Sequence, residues 1–219
     1  MSIIKSLSVG NGDMFYITHN SDNFTIIDCC MDEANSDDIL EELKTEKADK
    51  GITRFISTHP DEDHLRGLDL LDDELALLNF YCVENQATKE DQTDAFDRYC
   101  ALRDSNKAFH LFAGCRRKWM NDTSEDRGNS GLDVLWPDTS NNDYKTALAA
   151  AADGESPNDI SIILAYRMAN GARVIWMGDL SSEFMEKIRD KVQLGKANIL
   201  FAPHHGRESG RVPKEWLDS

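Results

Sequence analysis

Thr58-His59-Pro60-Asp61-Glu62-Asp63-His64 follows directly on the short apolar segment of residues 53–57 and sets the metal-competent His59, Asp61, Asp63 and His64 within six residues. The chain holds six histidines and 26 aspartates in 219 residues. At that composition an H-x-D-x-D-H string arises by chance in roughly two of a thousand such sequences. Leu65, Leu68, Leu71, Leu75 and Leu78 come next at helical spacing, so the stretch reads as strand, ligand-bearing loop and helix. A loop leaving a strand end can turn alternate side chains inward, and the helix that follows fixes Asp63 and His64 in its first turn. An acidic helix start with Asp63 as cap would draw on the same residue types for purely local reasons.

Upstream, the apolar runs 3–9, 14–18 and 24–28 are separated by the turns Gly10-Asn11-Gly12-Asp13 and His19-Asn20-Ser21-Asp22-Asn23. This pattern predicts an antiparallel meander. Ser36 is a cap for a helix on Ile39, Leu40 and Leu43 that Gly51 stops. Downstream, residues 79–83 read as a strand and 88–102 as an amphipathic helix presenting Phe96, Tyr99, Cys100 and Arg103. Residues 109–112 and 132–136 read as strands on either side of a polar loop at 121–131, and an alanine-rich helix covers 147–152. Residues 160–166 and 172–177 form a hairpin about Asn170-Gly171. Ser181 opens a helix to about Val192, and residues 197–202 are a last strand. With no linker or low-complexity tract, residues 1–219 read as one layered α/β domain.

Two further strand ends carry polar groups of the same chemistry. Pro203-His204-His205-Gly206 closes the last strand, so four of the six histidines lie in two strand-end clusters. Gly178-Asp179 follows Val174-Ile175-Trp176-Met177, and Asp28 follows Ile26-Ile27. A carboxylate at the tip of an apolar strand reaches into a pocket, although a plain turn would also place it there.

Lys plus Arg is 24 and Asp plus Glu is 40, a net charge of -16. That balance argues against counterion-driven nucleic-acid binding over a broad face and against docking on an anionic membrane. No apolar run reaches the roughly 18 residues of a membrane span, and the start of the chain lacks the layout of a signal peptide. The five cysteines, an odd and scattered set, imply no disulfide framework, which points to a reducing, cytoplasmic setting.

Taken in order, these segments resemble the metallo-β-lactamase superfamily, and within it the ComEC/Rec2-like soluble hydrolases. Val9-Gly10-Asn11-Gly12-Asp13 resembles that branch's V-G-x-G-D turn, and Ile26-Ile27-Asp28 the first superfamily motif. Residues 57–64 resemble the second motif in its H-x-D-x-D-H form, and Asn158-Asp159-Ile160-Ser161 the N-x-x-S strand. Met177-Gly178-Asp179 is similar to the bridging-aspartate motif and Pro203-His204-His205-Gly206 to the last histidine motif. There are departures. Asp61 stands where the superfamily's usual second histidine is, Arg66 replaces the first glycine after the motif, and Cys29-Cys30 follow the first aspartate. No histidine stands at the third motif; His110, within Ala108-Phe109-His110-Leu111-Phe112, reads better as strand or core.

The resemblance implies a metallo-β-lactamase-like four-layer αββα sandwich, incomplete at its C-terminus relative to the family. It implies a metal-dependent hydrolase, a phosphodiesterase or nuclease that activates water with two divalent ions, Zn²⁺ or Mn²⁺. By position, His59 and Asp61 would hold one ion. Asp63, His64 and one of His204 and His205 would hold the other, and Asp179 would bridge; Asp63 and Asp179 are the catalytic carboxylates. Asp61 in place of histidine tilts the first site toward Mn²⁺. Asp28 would orient a ligand, and Asp13 would do similar work at the rim. Arg66 and Arg207, with Arg211 and Lys214 beyond, are candidate phosphate contacts. The implied substrate is a phosphodiester, DNA among the candidates; a partner protein and the oligomeric state stay open. The alternatives are a small-molecule ester or phosphoester hydrolase, and a decayed metal-binding or regulatory module.

Overall fold

In strands β2 (Phe15–Thr18), β3 (Asn23–Ile27), β4 (Ile52–Ile56) and β5 (Phe80–Cys82), successive side chains enter two different cores. Phe15, Ile17, Ile27, Ile56 and Tyr81 point one way, while Tyr16, Phe24, Ile26, Phe55, Phe80 and Cys82 point the other. The period of two is that of a sheet buried on both faces. The structure is a computed structural model that describes residues 1–168 and 171–218.

These strands join β1 (Ile3–Ser6) and β6 (Ala108–His110) in a six-stranded sheet of order β1-β2-β3-β4-β5-β6. The first three pair antiparallel, as the turn signals predict, and β3 to β6 run parallel. Helices α1 (Ser36–Lys47), α3 (Leu68–Leu75) and α4 (Asp94–Arg103) cover its outer face with Leu40, Leu43, Leu68, Leu71, Phe96 and Tyr99. The second sheet contains β7 (Leu132–Trp136), β8 (Ile163–Arg167), β9 (Arg173–Trp176) and β10 (Ile199–Leu200), in the order β10-β9-β8-β7. The core between the sheets joins Phe15, Ile56 and Tyr81 to Trp136, Leu164 and Trp176. Helices α5 (Asn142–Ala152) and α6 (Ser182–Ile188) pack on the second sheet, with Tyr144 and Phe184 edge-on to Trp136. This is an αββα sandwich, and each fully buried aliphatic or aromatic side chain contributes about 1.5–3 kcal/mol.

Several sequence expectations shift. The leucine series after His64 is split into α2 (Glu62–Leu65) and α3, because Arg66 adopts an extended conformation between them. Leu78 lies beyond α3 and is 71% exposed. The residue that caps α2 is Asp61, not Asp63. α4 begins at Asp94, where the Thr93 hydroxyl accepts the Phe96 N–H, rather than at Thr88. β6 is displaced to Ala108–His110, α6 ends at Ile188, and the last strand shortens to Ile199–Leu200. β8 and β9 pair antiparallel; Asn170 of the expected turn lies outside the described residues. The five cysteines are free thiols, and among the described residues no helix is long and apolar enough to cross a membrane. Beyond β10 the chain closes with the short helix α7 (Lys214–Leu217), where Trp216 is buried.

Candidate metal centre

Parallel pairing sets the C-terminal ends of β3 and β4 side by side, and those of β9 and β10 likewise. The two pairs of ends meet across the sandwich, where the Ile162 N–H donates to the Thr58 carbonyl at 3.1 Å. Asp28, His64, Asp179 and His205 gather there.

Asp28 leaves β3 with φ +57° and is buried. Its Oδ1 accepts the Thr58 N–H at 2.7 Å; its Oδ2 accepts the Thr58 hydroxyl at 2.7 Å and lies 2.8 Å from His64 Nδ1. With Nδ1 held, His64 turns Nε2 the other way, to within 3.1 Å of Asp179 Oδ1. The Asp179 N–H donates to Ser161 Oγ at 3.1 Å. A Cβ on Gly178 would meet that same oxygen at 2.7 Å and the Thr58 Cβ at 3.0 Å, so only glycine lets the ends of β9 and β4 close together.

His204 and His205 have φ of +52° and +53°, a conformation that strains a non-glycine residue by about 1–2 kcal/mol. The turn sends the two rings apart. His205 enters the cluster, with Nε2 3.2 Å from Asp63 Oδ2 and 3.4 Å from Asp179 Oδ2, and Nδ1 3.4 Å from Asp13 Oδ1. His204 faces outward: Nδ1 is 2.9 Å from Ser209 Oγ, Nε2 is 3.4 Å from Arg207 Nη1, and Asp179 Oδ2 is 3.9 Å away. Asp13 belongs to the cluster itself rather than to its rim. The Asp13 N–H donates to the Asp63 carbonyl at 3.2 Å. A Cβ on Gly12 would lie 2.5 Å from that carbonyl oxygen, so the preceding glycine permits the approach.

One ligand atom each of Asp13, His64, Asp179 and His205 lies within 4.8 Å of the other three. His64 Nε2, Asp179 Oδ1, His205 Nδ1 and, beside them, His59 Nε2 are buried without a hydrogen-bond partner. Close polar atoms that fail to align as hydrogen bonds suit a shared cation, and imidazole and carboxylate are both ligand types for divalent metals.

Electrostatics agree with that arrangement. Burial alone would lower the pKa of His64, but Asp28 and Asp179 overcome it and hold it at about 10. The carboxylates of Asp13, Asp179 and Asp63 push His205 up to about 12. Burial would raise Asp63, yet His205 brings it down to about 2. Asp179 is lowered as well, its burial being outweighed by His205 and His64. Without a cation, protons on these two histidines balance the carboxylates.

The other predicted residues are placed differently. His59 is buried with its ring centroid 4.2 Å from that of His64, and burial, then His64, drive its pKa to about 3. Asp61 is turned to Lys89, whose Nζ lies 2.9 Å from Oδ1, and the same oxygen accepts the Glu62 N–H. Arg207 stands exposed beside His204, and Arg66 is exposed on the α2–α3 link with its charge felt by Cys30. Arg211 and Lys214 are paired with Glu208 and Asp218. His110 ends β6 opposite Cys82. Lys89 carries no local sequence signal, since the helix expected to hold it begins only at Asp94. Thr58 and Ser161 lie within recognisable strand ends, but their hydrogen bonds become visible only in the fold.

Neither a protein-family model nor a curated protein matches the sequence. Solved structures do match in fold. A HARLDQ-motif mutant of a metallo-β-lactamase from Cronobacter sakazakii superposes with a TM-score of 0.54 at 13% identity, over 90% of this chain and 75% of that one. The metallo-β-lactamase SMB-1 superposes with a TM-score of 0.51 at 12% identity, over 91% and 76% of the two chains. The architecture is the metallo-β-lactamase fold.

Proposed function

We propose that the chain is a metal-dependent hydrolase acting on a phosphodiester, in the manner of the ComEC-like branch. The observation that carries this reading is the convergence of His64, Asp179, His205 and Asp13 at the strand ends, with buried ligand atoms left unpartnered. A divalent cation held there supplies Lewis acidity and acidifies water. Asp28 fixes the His64 ring through Nδ1, so that Nε2 is the ligating atom. Asp179 is the carboxylate central to both histidines, and Asp63, partly open to solvent, orients the attacking water. Arg207, exposed beside His204, and Lys89, beside Asp61, attract the phosphate. A second cation would draw on His59 and Asp61, with Asp179 between the two positions. The acidic surface of the chain favours a short phosphodiester over long DNA.

The Lys89–Asp61 ion pair favours a second reading in which one cation per chain suffices. Elemental analysis of the purified protein separates the two by stoichiometry and overturns both if no divalent metal is found. Hydrolysis is then tested with Mn²⁺ and with Zn²⁺ on a bis-nitrophenyl phosphate, linear DNA and plasmid DNA. Turnover of a carboxylic ester with no turnover of any phosphodiester would refute the substrate assignment.

A further inference from the structure

At the end of the sandwich remote from the histidine–aspartate cluster, β8 and β9 set Arg167 directly opposite Arg173. Like charges facing each other across a strand pair repel; the nearby carboxylate, Asp133, is felt by Arg173 but, among the described residues, forms an ion pair with neither arginine. Among the described residues Arg167 makes no ion pair and no side-chain hydrogen bond. Arg173 places Nη1 on the carbonyl oxygens of Leu194 and Lys196 and leaves Nε and Nη2 over. Burial, and then the Arg167 guanidinium, push the Arg173 pKa below its ordinary value. The two arginines border a groove of about 460 Å³ with Lys191, Asp133, Leu135 and Ala165. Four cations, Arg116, Arg167, Arg173 and Lys191, therefore line the groove against the one carboxylate of Asp133, and with Arg116 paired to Asp122 three of them remain to face it, in a chain whose net charge is -16.

We infer that this groove binds a small phosphorylated ligand of mononucleotide size, its phosphate held between Arg167 and Arg173 with Lys191 at the rim. Guanidinium forks match the oxygens of a phosphate two at a time. Leu135 and Ala165 give an apolar floor for the rest of the molecule, and the volume falls in the range of small-ligand sites, about 300–1,000 Å³. The charge balance selects a small anion over a polymer. At physiological salt a charge is felt over about 8 Å, so a single phosphate senses the groove, whereas a polyanion running past it meets the acidic surface. The groove is separate from the metal centre. Arg173 opens β9 and Asp179 follows its far end, roughly 15–20 Å along the strand. The inference does not rest on the hydrolase reading.

Calorimetric titration of the purified, metal-loaded protein with adenosine monophosphate and, separately, inorganic phosphate tests it, at an ionic strength of about 0.15 M. The expected result is one-to-one binding of the nucleotide with a Kd below about 1 mM. Arg167→Ala weakens binding by about tenfold or more and Lys191→Ala weakens it less; both side chains are exposed, and thermal melts confirm that the variants are folded. Arg211→Ala, on the outer surface beside Glu208, leaves binding unchanged, as does His205→Ala in the metal centre. The proposal is overturned if neither anion saturates, if Arg167→Ala binds like the parent, or if His205→Ala abolishes binding. Tighter Arg167-dependent binding of a single-stranded oligonucleotide than of the mononucleotide would also overturn it.

Discussion

Asparagine at position 28 exchanges one carboxylate oxygen for an amide NH₂ at nearly constant size. The Asp28 carboxylate meets three donors within 2.8 Å: the Thr58 N–H, the Thr58 hydroxyl and His64 Nδ1. In Asp28→Asn, if the amide oxygen stays on the Thr58 N–H, the NH₂ faces His64 Nδ1 and that nitrogen must accept. The ring proton then moves to Nε2, the atom 3.1 Å from Asp179 Oδ1, and Nε2 can no longer ligate. If the amide oxygen keeps His64 instead, the NH₂ opposes the Thr58 N–H, and two buried donors facing each other cost about 1–3 kcal/mol. Either arrangement weakens the site. The expected loss of zinc affinity is about ten- to hundredfold, or about 1.4–2.7 kcal/mol. Titration of metal-free protein with Zn²⁺ against a chelating indicator measures it, and urea unfolding of the same samples reports the cost to folding. If Asp28→Asn binds Zn²⁺ within about twofold of the parent and is equally stable, Asp28 does not set the His64 tautomer.

The two adjacent histidines separate the site from its surroundings: His205→Ala lowers metal affinity by about hundredfold and His204→Ala by less than about threefold. Equal losses in the same titration would contradict the outward placement of His204. Gly178→Ala forces a Cβ to 2.7 Å from Ser161 Oγ at φ +51°; overpacking and left-handed strain together remove about 2–4 kcal/mol of folding free energy. A change below about 0.5 kcal/mol in urea unfolding would show that the strand ends are not so close. In metal-free protein His64 is held at about 10, above its unfolded 6.5, so its stabilisation is complete below pH 6.5 and is lost as pH rises toward 10. The urea midpoint in chelator therefore falls from about pH 7 to about pH 10, and His64→Gln flattens that slope; an unchanged slope in the variant would refute the assignment. Metal must displace the protons on His64 and His205, so affinity rises with pH and binding releases protons into a weak buffer.

Much of the fold was legible because its signals are local. The glycine and asparagine turns between residues 9 and 24 mark the meander, and Ile26-Ile27-Asp28 and Val174-Ile175-Trp176-Met177-Gly178-Asp179 announce buried strands with polar ends. Elsewhere a local pattern meets a tertiary constraint. The leucine spacing runs on through Leu78, but the chain must turn at Arg66 and Gly67 and again after Leu75 to return to the sheet, so the periodic run is cut twice. Residues 197–202 are apolar enough for a strand, yet β10 pairs with β9 only at Ile199 and Leu200.

The site divides along the same line. Sequence spacing alone singles out His59, Asp61, Asp63 and His64, and the strand-end pattern adds Asp28, Asp179 and the 204–205 pair, because ligand types crowded at strand ends are rare by composition. It does not tell which of these side chains share a space. Only the tertiary structure decides that Asp13 joins His64, Asp179 and His205, that His204 turns away, and that Asp61 faces Lys89. Each of these depends on where backbones from separate strands approach. The left-handed turn at His204 and His205, the glycine contact at Gly12 and the reach of Lys89 bring together residues up to 192 positions apart (Asp13 and His205). No local pattern encodes such distances. They follow from two sheets closing on one core.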